Sequence, residues 1–227
     1  GGLLKVDAKN GEILWASSTI DKPATESGRH WLFVRQLGPS GAPVWSSPAL
    51  DRESGLVYVG TGENYTHPTT ETSDAILAFD SATGKRRWAA QFTDNDAFNM
   101  ACTISTDHPN CTEDTGPDYD FGAPPIIYQT KTGRTMILAG QKSSGVYSID
   151  AASGETLWKR YLGRGGYLGG VHWGMAIHPK EKLLYAPMND LEHGPGLDEP
   201  TPGLFALDIA SGEIRWSATK EDRCEGR

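Results

Sequence analysis

The sequence is poor in positive charge and in long apolar runs. Its 227 residues carry 21 Lys and Arg against 29 Asp and Glu, a formal net charge of −8. An acidic chain of this kind offers no basic face for nucleic acid, which argues against a nucleic-acid-binding role. No apolar run approaches the roughly 20 residues that cross a bilayer, and no signal peptide is visible. We therefore predict a segment without a membrane span, with any export signal located upstream.

Several motifs of hydrolases and zinc proteins are also missing. The sequence has no G-x-S-x-G or C-x-x-C run, and its histidines show no metal-ligand spacing. Only three cysteines occur. Cys102 and Cys111 flank a short polar stretch, where a disulfide would hold a loop that has no core of its own. That pairing would indicate a periplasmic or secreted protein, and two free thiols are the alternative.

One ten-residue phrase occurs four times and dominates the sequence. Each copy follows an alternating apolar stretch typical of a strand. Each has an Asp, a Gly four residues later and a Trp four beyond that: Asp7/Gly11/Trp15, Asp80/Gly84/Trp88, Asp150/Gly154/Trp158 and Asp208/Gly212/Trp216. We expect the Asp side chain to cap a tight turn, the Gly to adopt the left-handed conformation, and the Trp to end the next strand.

The spacing of the copies predicts the fold. Copies 58 to 73 residues apart leave room for a four-stranded antiparallel sheet, which indicates an all-β protein made of β-propeller blades. The Trp would dock neighbouring blades, with its N–H bonded locally. We predict one partial propeller domain over 1–227, with outer strands at 1–18, blades at 44–90, 123–160 and 173–217, and insertions at 18–43, 93–122 and 188–203.

The repeat resembles the tryptophan-docking repeat of the quinoprotein alcohol dehydrogenases, whose eight-bladed propellers hold pyrroloquinoline quinone (PQQ). On that resemblance the chain corresponds to about half of the ring and is a piece of a longer protein. Non-enzymatic assembly scaffolds carry the same repeat, so the repeat predicts the fold and not the chemistry.

Residues 41–64 resemble the stretch of that family that carries the cofactor floor and a calcium ligand. The resemblance places Trp45 under the flat quinone, where an indole face provides stacking; filling the propeller core is its alternative role. It also places Glu63, followed by Asn64, where the family binds Ca²⁺ through a hard oxygen. A polar turn after a strand would explain the same GTGEN run.

Residues 91–100 fall where the family carries its catalytic Asp. Counting from Gln91 puts Asn99 at that position, and an amide cannot act as a general base. Asp96 is the replacement base that we consider, against a simple role in capping a turn. The AFNMAC segment around Asn99 is similar to the polyvinyl-alcohol-dehydrogenase-like branch.

Two further runs carry cofactor candidates by resemblance. Lys142, eight residues before Asp150, would place a cation on the quinone oxygens, unless it is a solvated surface residue. In the glycine-rich run 163–176, His172 and Trp173 would lie near the cofactor. His172 would bind a PQQ carboxylate or a substrate oxygen, or play only a structural role.

The resemblance as a whole implies a fragment of a PQQ-dependent alcohol dehydrogenase. An alcohol would lose a proton to a base and a hydride to a calcium-bound quinone, and a cytochrome c would accept the electrons. The competing interpretation is a non-enzymatic propeller that binds protein through loops such as 93–122.

Overall fold

The computed structural model describes residues 1–30, 34–108, 110–112, 114–190 and 202–220. They divide into two compact units, the first formed by Gly1–Trp45 and Leu50–Asp118, the second by Ser46–Ala49 and Tyr119–Arg227. Among these described residues, no helix is long and apolar enough to cross a membrane. Most of the predicted insertion 188–203 lies outside them.

The described residues of the first unit form ten strands and one short helix. The strands are β1 (Gly2–Val6), β2 (Ile13–Ser18), β3 (Thr25–His30), β4 (Val34–Gly38), β5 (Ser40–Gly41), β6 (Ala49–Asp51), β7 (Leu56–Gly60), β8 (Asn64–Thr66), β9 (Ala75–Asp80) and β10 (Arg86–Gln91). A four-stranded sheet has the order β10-β9-β7-β6, while β1-β2, β3-β4 and β5-β8 form two-stranded pairs. The helix α1 covers Ala101–Ile104.

The turn of the repeated phrase has the predicted geometry. In its second copy, the Asp80 carboxylate accepts hydrogen bonds from the amides of Ala82 and Thr83. The bonds from the Thr83 amide and hydroxyl, aided by Ala82 and Arg87, hold the pKa of Asp80 below its usual value. Gly84 has φ +72°, in the left-handed region that favours glycine.

Trp15 docks the β1-β2 pair onto the four-stranded sheet of the first unit. Its indole N–H donates to the Ser81 carbonyl at 3.1 Å, and its ring packs against a buried cluster that includes Leu3, Leu77 and Phe79. The apolar area stabilises the contact, and the local acceptor removes the cost of burying the N–H. This is the docking contact that the repeat predicts.

The part of the second unit that the structure describes contains two four-stranded antiparallel sheets. The first has the order β11-β12-β13-β14 and the second β15-β16-β17-β18. Their strands are β11 (Ile126–Gln129), β12 (Thr135–Gly140), β13 (Gly145–Asp150), β14 (Thr156–Tyr161), β15 (Ala176–His178), β16 (Leu183–Met188), β17 (Gly203–Asp208) and β18 (Ile214–Thr219). A shared core joins Leu138, Val146 and Leu162 to Leu184 and Leu207.

Some local structure differs from the predicted organisation. The strand expected from residue 44 begins at Ala49, because Pro43 and Pro48 have no N–H to donate to a sheet. The predicted insertion 18–43 contains the β3-β4 hairpin. In the insertion 93–122, Cys102 and Cys111 form the expected disulfide. Cys224 lies outside the described residues.

Candidate functional site

Trp45 is partly exposed. It follows β5 in the first unit, and 42% of its surface is exposed in this chain. An indole face with this exposure can stack on a flat ligand. Its two predicted roles, under the quinone and in the propeller core, both stay predictions.

Glu63 and Asn64 are adjacent but do different things. The Asn64 side-chain N–H group donates to the Ser40 carbonyl at 3.0 Å. The side-chain oxygen Oδ1 accepts from the backbone N–H and the hydroxyl of Thr70 at 2.7 and 3.2 Å. A carbonyl oxygen has two lone pairs, and both have partners here. The Asn64 side chain therefore links neighbouring backbone segments. The Glu63 carboxylate instead lies close to a second carboxylate.

That second acid is Asp118, the last residue of the first unit. Oxygen atoms of Glu63 and Asp118 lie within 4.8 Å of each other, and their residues are only 8% and 7% exposed. Asp118 has φ +60°, a conformation that Asp tolerates better than most residues. Two carboxylates held this close with little solvent favour a shared cation or proton.

Asp96 forms hydrogen bonds that position the backbone next to this pair of carboxylates. Its side chain is fully buried and its Oδ1 accepts from the Asp118 amide at 3.2 Å. Its carbonyl accepts from the Asn64 amide at 3.1 Å. Through these two bonds Asp96 fixes the backbone of Asp118 and of Asn64, which adjoins Glu63. Its predicted role as a base stays a prediction, and the contacts assign it a positioning role.

Asn99 joins the disulfide loop to β8. Its side-chain amide donates to the carbonyls of Asn110 at 2.8 Å and Tyr65 at 3.3 Å, and its oxygen accepts from the Ala101 amide at 3.0 Å. These contacts use the whole carboxamide for local structure. The catalytic position predicted by counting from Gln91 thus holds a residue with structural contacts.

In the second unit, a buried ion pair contains the predicted cation. The Lys142 ammonium donates to Asp120 Oδ2 at 2.5 Å, and both side chains are less than 10% exposed. The Lys142 amide also donates to the Asp120 carbonyl at 3.0 Å. Lys142 is therefore not a solvated surface residue, and Asp120 fixes the position of its charge.

His172 and Trp173 form a stack beside this ion pair. Their ring centroids are 4.5 Å apart with an interplanar angle of 16°. Burial, followed by the Lys142 charge, lowers the pKa of His172, although a hydrogen bond to the Leu168 backbone and the Asp120 charge oppose the shift. A neutral imidazole suits a hydroxyl group better than it suits a carboxylate. Trp173 is 78% exposed.

Comparison with known proteins shows what the chain is similar to. Residues 4–105 match the family described as glucose/ethanol/alcohol dehydrogenase, beta-propeller domain, the PQQ domain. The chain is 35% identical over 219 residues to the polyvinylalcohol dehydrogenase of Sphingopyxis sp. (strain 113P3). It is 37% identical over 218 residues to the polyvinylalcohol dehydrogenase of a Pseudomonas species. These matches support the predicted resemblance to the PQQ-dependent alcohol dehydrogenases.

The matches to these two relatives cover 96% of the chain but 33% of each relative, so the chain spans about a third of their length. The fold also matches the crystal structure of the quinohemoprotein alcohol dehydrogenase from Comamonas testosteroni. The TM-score is 0.67 at 18% identity, over 95% of this chain and 42% of that one. The predicted fold class, a partial β-propeller of PQQ type, is confirmed.

Sequence reasoning missed Asp118 and Asp120. The signal was the run Asp118-Tyr119-Asp120, two acids in alternation immediately before an apolar, glycine- and proline-rich segment. Asn99 and these two acids all lie in the predicted insertion 93–122, but the acids come after its disulfide-bonded loop. Counting from Gln91 could not reach them, because the repeat does not determine the length of that loop.

Proposed function

We propose that the protein containing this chain is a PQQ-dependent alcohol dehydrogenase that uses a bound metal ion. The observation that carries the proposal is the buried pair of Glu63 and Asp118, with oxygens within 4.8 Å, in a chain that resembles the PQQ family. Two relatives of similar sequence are named as dehydrogenases of polyvinyl alcohol. We therefore propose a secondary alcohol, presented singly or along a polymer, as the substrate class.

The carboxylate pair fits a hard cation. Both residues offer only oxygen ligands, and a cation between them would offset the cost of burying two like charges. We propose Ca²⁺ as this ion, bound by Glu63 and Asp118 in place of the predicted pair Glu63 and Asn64. The metal would act as a Lewis acid toward a bound carbonyl.

Asp118 is also our candidate for the group that accepts the carbinol proton. A base must lie within hydrogen-bond reach of the proton that it accepts, and the bond from the Asp118 amide to the Asp96 side chain fixes the backbone that carries Asp118. Asp118 thus takes the role that the sequence offered to Asp96 and Asn99. Hydride acceptance is the chemistry that PQQ supplies when bound.

Four aromatic or basic residues are proposed, each within its own unit, as contacts for PQQ or the alcohol. Trp45 offers an exposed indole face in the first unit. In the second unit, Lys142 offers a cation whose position is fixed by Asp120, which would stabilise negative charge on quinone oxygens. Trp173 is a further exposed aromatic surface, and the neutral His172 beside it would accept or donate a hydrogen bond to a hydroxyl group.

We further propose export to the periplasm or beyond and a cytochrome c-type electron acceptor. The Cys102–Cys111 disulfide supports the compartment, because such bonds persist where the surroundings are oxidising. The acidic chain, with a net charge of −8, supports a basic protein partner through complementary charge.

The test is a PQQ titration of the full-length protein with calcium or with a chelator, followed by tryptophan fluorescence. We expect calcium-dependent quenching. Trp45→Ala should weaken PQQ binding at least about tenfold, given the stacking and area lost with the indole, while Trp45→Phe should retain most of it. Glu63→Gln should reduce the calcium retained after dialysis, and Glu63→Asp should retain more.

A second arm separates the enzyme from the scaffold. Oxidation of isopropanol coupled to an artificial dye should require both PQQ and the metal. A full-length protein that binds neither PQQ nor calcium would contradict the proposal and favour the non-enzymatic propeller. Binding without oxidation would contradict the assignment of the substrate class.

A further inference from the structure

Two cavities lie side by side in the first unit. The inner cavity, of about 560 Å³, is lined by Glu63, Tyr65, Asn99 and Met100. The outer cavity, of about 440 Å³, is lined by residues that include Ser27, Arg29, His67, His108 and Thr112. Gln36, Thr66 and Asn110 line both cavities. Because three residues are shared, the cavities adjoin, and we call the two together the groove.

The groove has a fixed outer wall. The Cys102–Cys111 disulfide closes the loop that carries this wall. The Asn110 amide donates to His108 Nδ1 at 3.1 Å, and the Asn110 carbonyl accepts from the Asn99 side chain at 2.8 Å. Groups held in this way lose little entropy when a ligand binds, so their hydrogen bonds contribute more to affinity.

The chemistry of the outer cavity fits neutral hydroxyl groups. Its polar lining includes amide, imidazole and hydroxyl groups, from residues such as Gln36, His67 and Thr112. The Arg29 guanidinium, the Lys or Arg cation among the described residues of this lining, bonds to the Glu26 carboxylate at 2.6 Å. Its charge is therefore offset, and Asp107 adds a negative charge to the wall. An anionic ligand would meet little net attraction, whereas hydroxyls find both donors and acceptors.

We infer that the outer cavity is a remote subsite for a neutral, polyhydroxylated chain whose reacting carbinol occupies the inner cavity. The inference rests on the proposed function for the position of the reacting carbinol. Hydroxyl groups several bonds away from that carbinol bind Gln36, His67 and their neighbours. Such remote contacts would favour a polymeric alcohol over a small one, since only the longer ligand reaches the outer cavity.

The test blocks the outer cavity without altering the inner one. Ser27 lines the outer cavity but not the inner one. The bulky side chain of Ser27→Trp would fill the outer cavity. In the full-length holoenzyme, we expect kcat/KM for poly(vinyl alcohol) to fall about tenfold, the equivalent of one or two hydrogen bonds. For isopropanol, kcat/KM should stay within about twofold. Thr25→Trp, on the same strand but outside both linings, is the matched control.

A binding measurement separates this inference from the proposed function. Calorimetric titration of poly(vinyl alcohol) into the cofactor-free full-length protein should show binding that Ser27→Trp weakens and Thr25→Trp preserves. Loss of binding in Ser27→Trp would support the subsite even if no alcohol were oxidised. A Ser27→Trp protein that binds the polymer like the unsubstituted protein, or that loses activity equally on both alcohols, would overturn the subsite and leave the proposed dehydrogenase untouched.

Discussion

The ring of Trp158 lies directly against the backbone of Gly212. A β-carbon built on Gly212 would meet Trp158 Cε3 at 2.5 Å, while the indole N–H donates to the neighbouring Ile209 carbonyl at 2.9 Å. The Gly of one copy of the repeat therefore packs directly against the Trp ring of the preceding copy. Trp15 and Gly84 repeat the relationship in the first unit, where the same test atom would meet the Trp15 ring at 2.7 Å.

This contact predicts that glycines at the same place in the repeat differ in their tolerance of alanine. Gly212→Ala should lower the free energy of unfolding by about 3 kcal/mol, from left-handed backbone strain and from the displaced indole. Gly11 has a similar φ of +78° but no atom within 4 Å of its built β-carbon. Gly11→Ala should therefore cost only about 1 kcal/mol.

Chemical denaturation of the full-length variants would measure both changes. Equal losses of unfolding free energy in Gly212→Ala and Gly11→Ala would mean that backbone strain alone accounts for the cost of alanine at this position of the repeat. The packing of Trp158 would then contribute nothing. A larger loss for Gly212→Ala supports the docking role.

The sequence predicted the blades because their signals are local. The alternation of apolar residues, the Asp-capped turn and the left-handed Gly all act within ten residues, and Gly11, Gly84 and Gly212 have the expected positive φ. The packing of Trp158 against Gly212 could not be predicted from the sequence, because the two residues are separated by 54 positions in the chain. The β3-β4 hairpin was missed because it lies outside the repeated phrase.

The base is predicted to be Asp118. Asp118→Asn should lower kcat/KM for alcohol oxidation by about a hundredfold or more, with the protein still folded and PQQ still bound. Asp96→Asn should have a smaller effect, because an amide oxygen still accepts from the Asp118 amide. Asp114→Asn, an exposed acid four residues upstream, is the matched control and should behave like the unsubstituted protein.

Steady-state kinetics with saturating PQQ and calcium would compare the three variants, and a fluorescence titration and a calcium analysis would verify that the cofactor and the metal, for which Asp118 is also a proposed ligand, still bind. Full activity in Asp118→Asn would remove this residue from the reaction. A larger loss in Asp96→Asn than in Asp118→Asn would return the role to Asp96.

Sequence reasoning proposed only part of the candidate site. Trp45, Glu63 and Lys142 lie in runs that resemble the quinoprotein dehydrogenases, so the resemblance suggested them, and their roles stay predictions. Asp118 lies near the end of an insertion whose length the repeat does not determine, and its position depends on the disulfide loop and on the bond from its amide to Asp96. Such tertiary contacts leave no periodic pattern in the sequence.

The disulfide is predicted to stabilise the loop beside the inner cavity. Closing a loop of about ten residues contributes about 2 to 3 kcal/mol in the chain-entropy view. Replacing Cys102 and Cys111 together by Ser should lower the thermal unfolding midpoint of the full-length protein, and added reductant should have the same effect on the unsubstituted protein. Cys224→Ser is the control, and its midpoint should still fall with reductant. Insensitivity of the unsubstituted protein to reductant would contradict a stabilising role.

The pKa of His172 is predicted to depend on Lys142. The Lys142 charge adds to burial in lowering the pKa of His172, while Asp120 opposes both. Lys142→Met removes the cation that lowers the pKa of His172 and keeps the Asp120 charge that raises it, so the pKa of His172 should rise. Lys180→Met, at an exposed site, should leave it unchanged. The imidazole proton signals of His172 in a pH titration would measure the shift by NMR.

The lowered pKa of His172 also predicts the direction in which folding stability changes with pH. The pKa of His172 is lower in the folded protein than the ordinary value of about 6.5, so the unfolded chain binds the proton first as the pH falls. Folding stability contributed by His172 is present above about pH 6.5 and is lost as the pH falls toward the lowered pKa. His172→Gln should therefore flatten the decline of the unfolding free energy in that window. An unaltered slope in His172→Gln would show that other groups cause the decline, and an unaltered His172 pKa in Lys142→Met would contradict the proximity of the two charges.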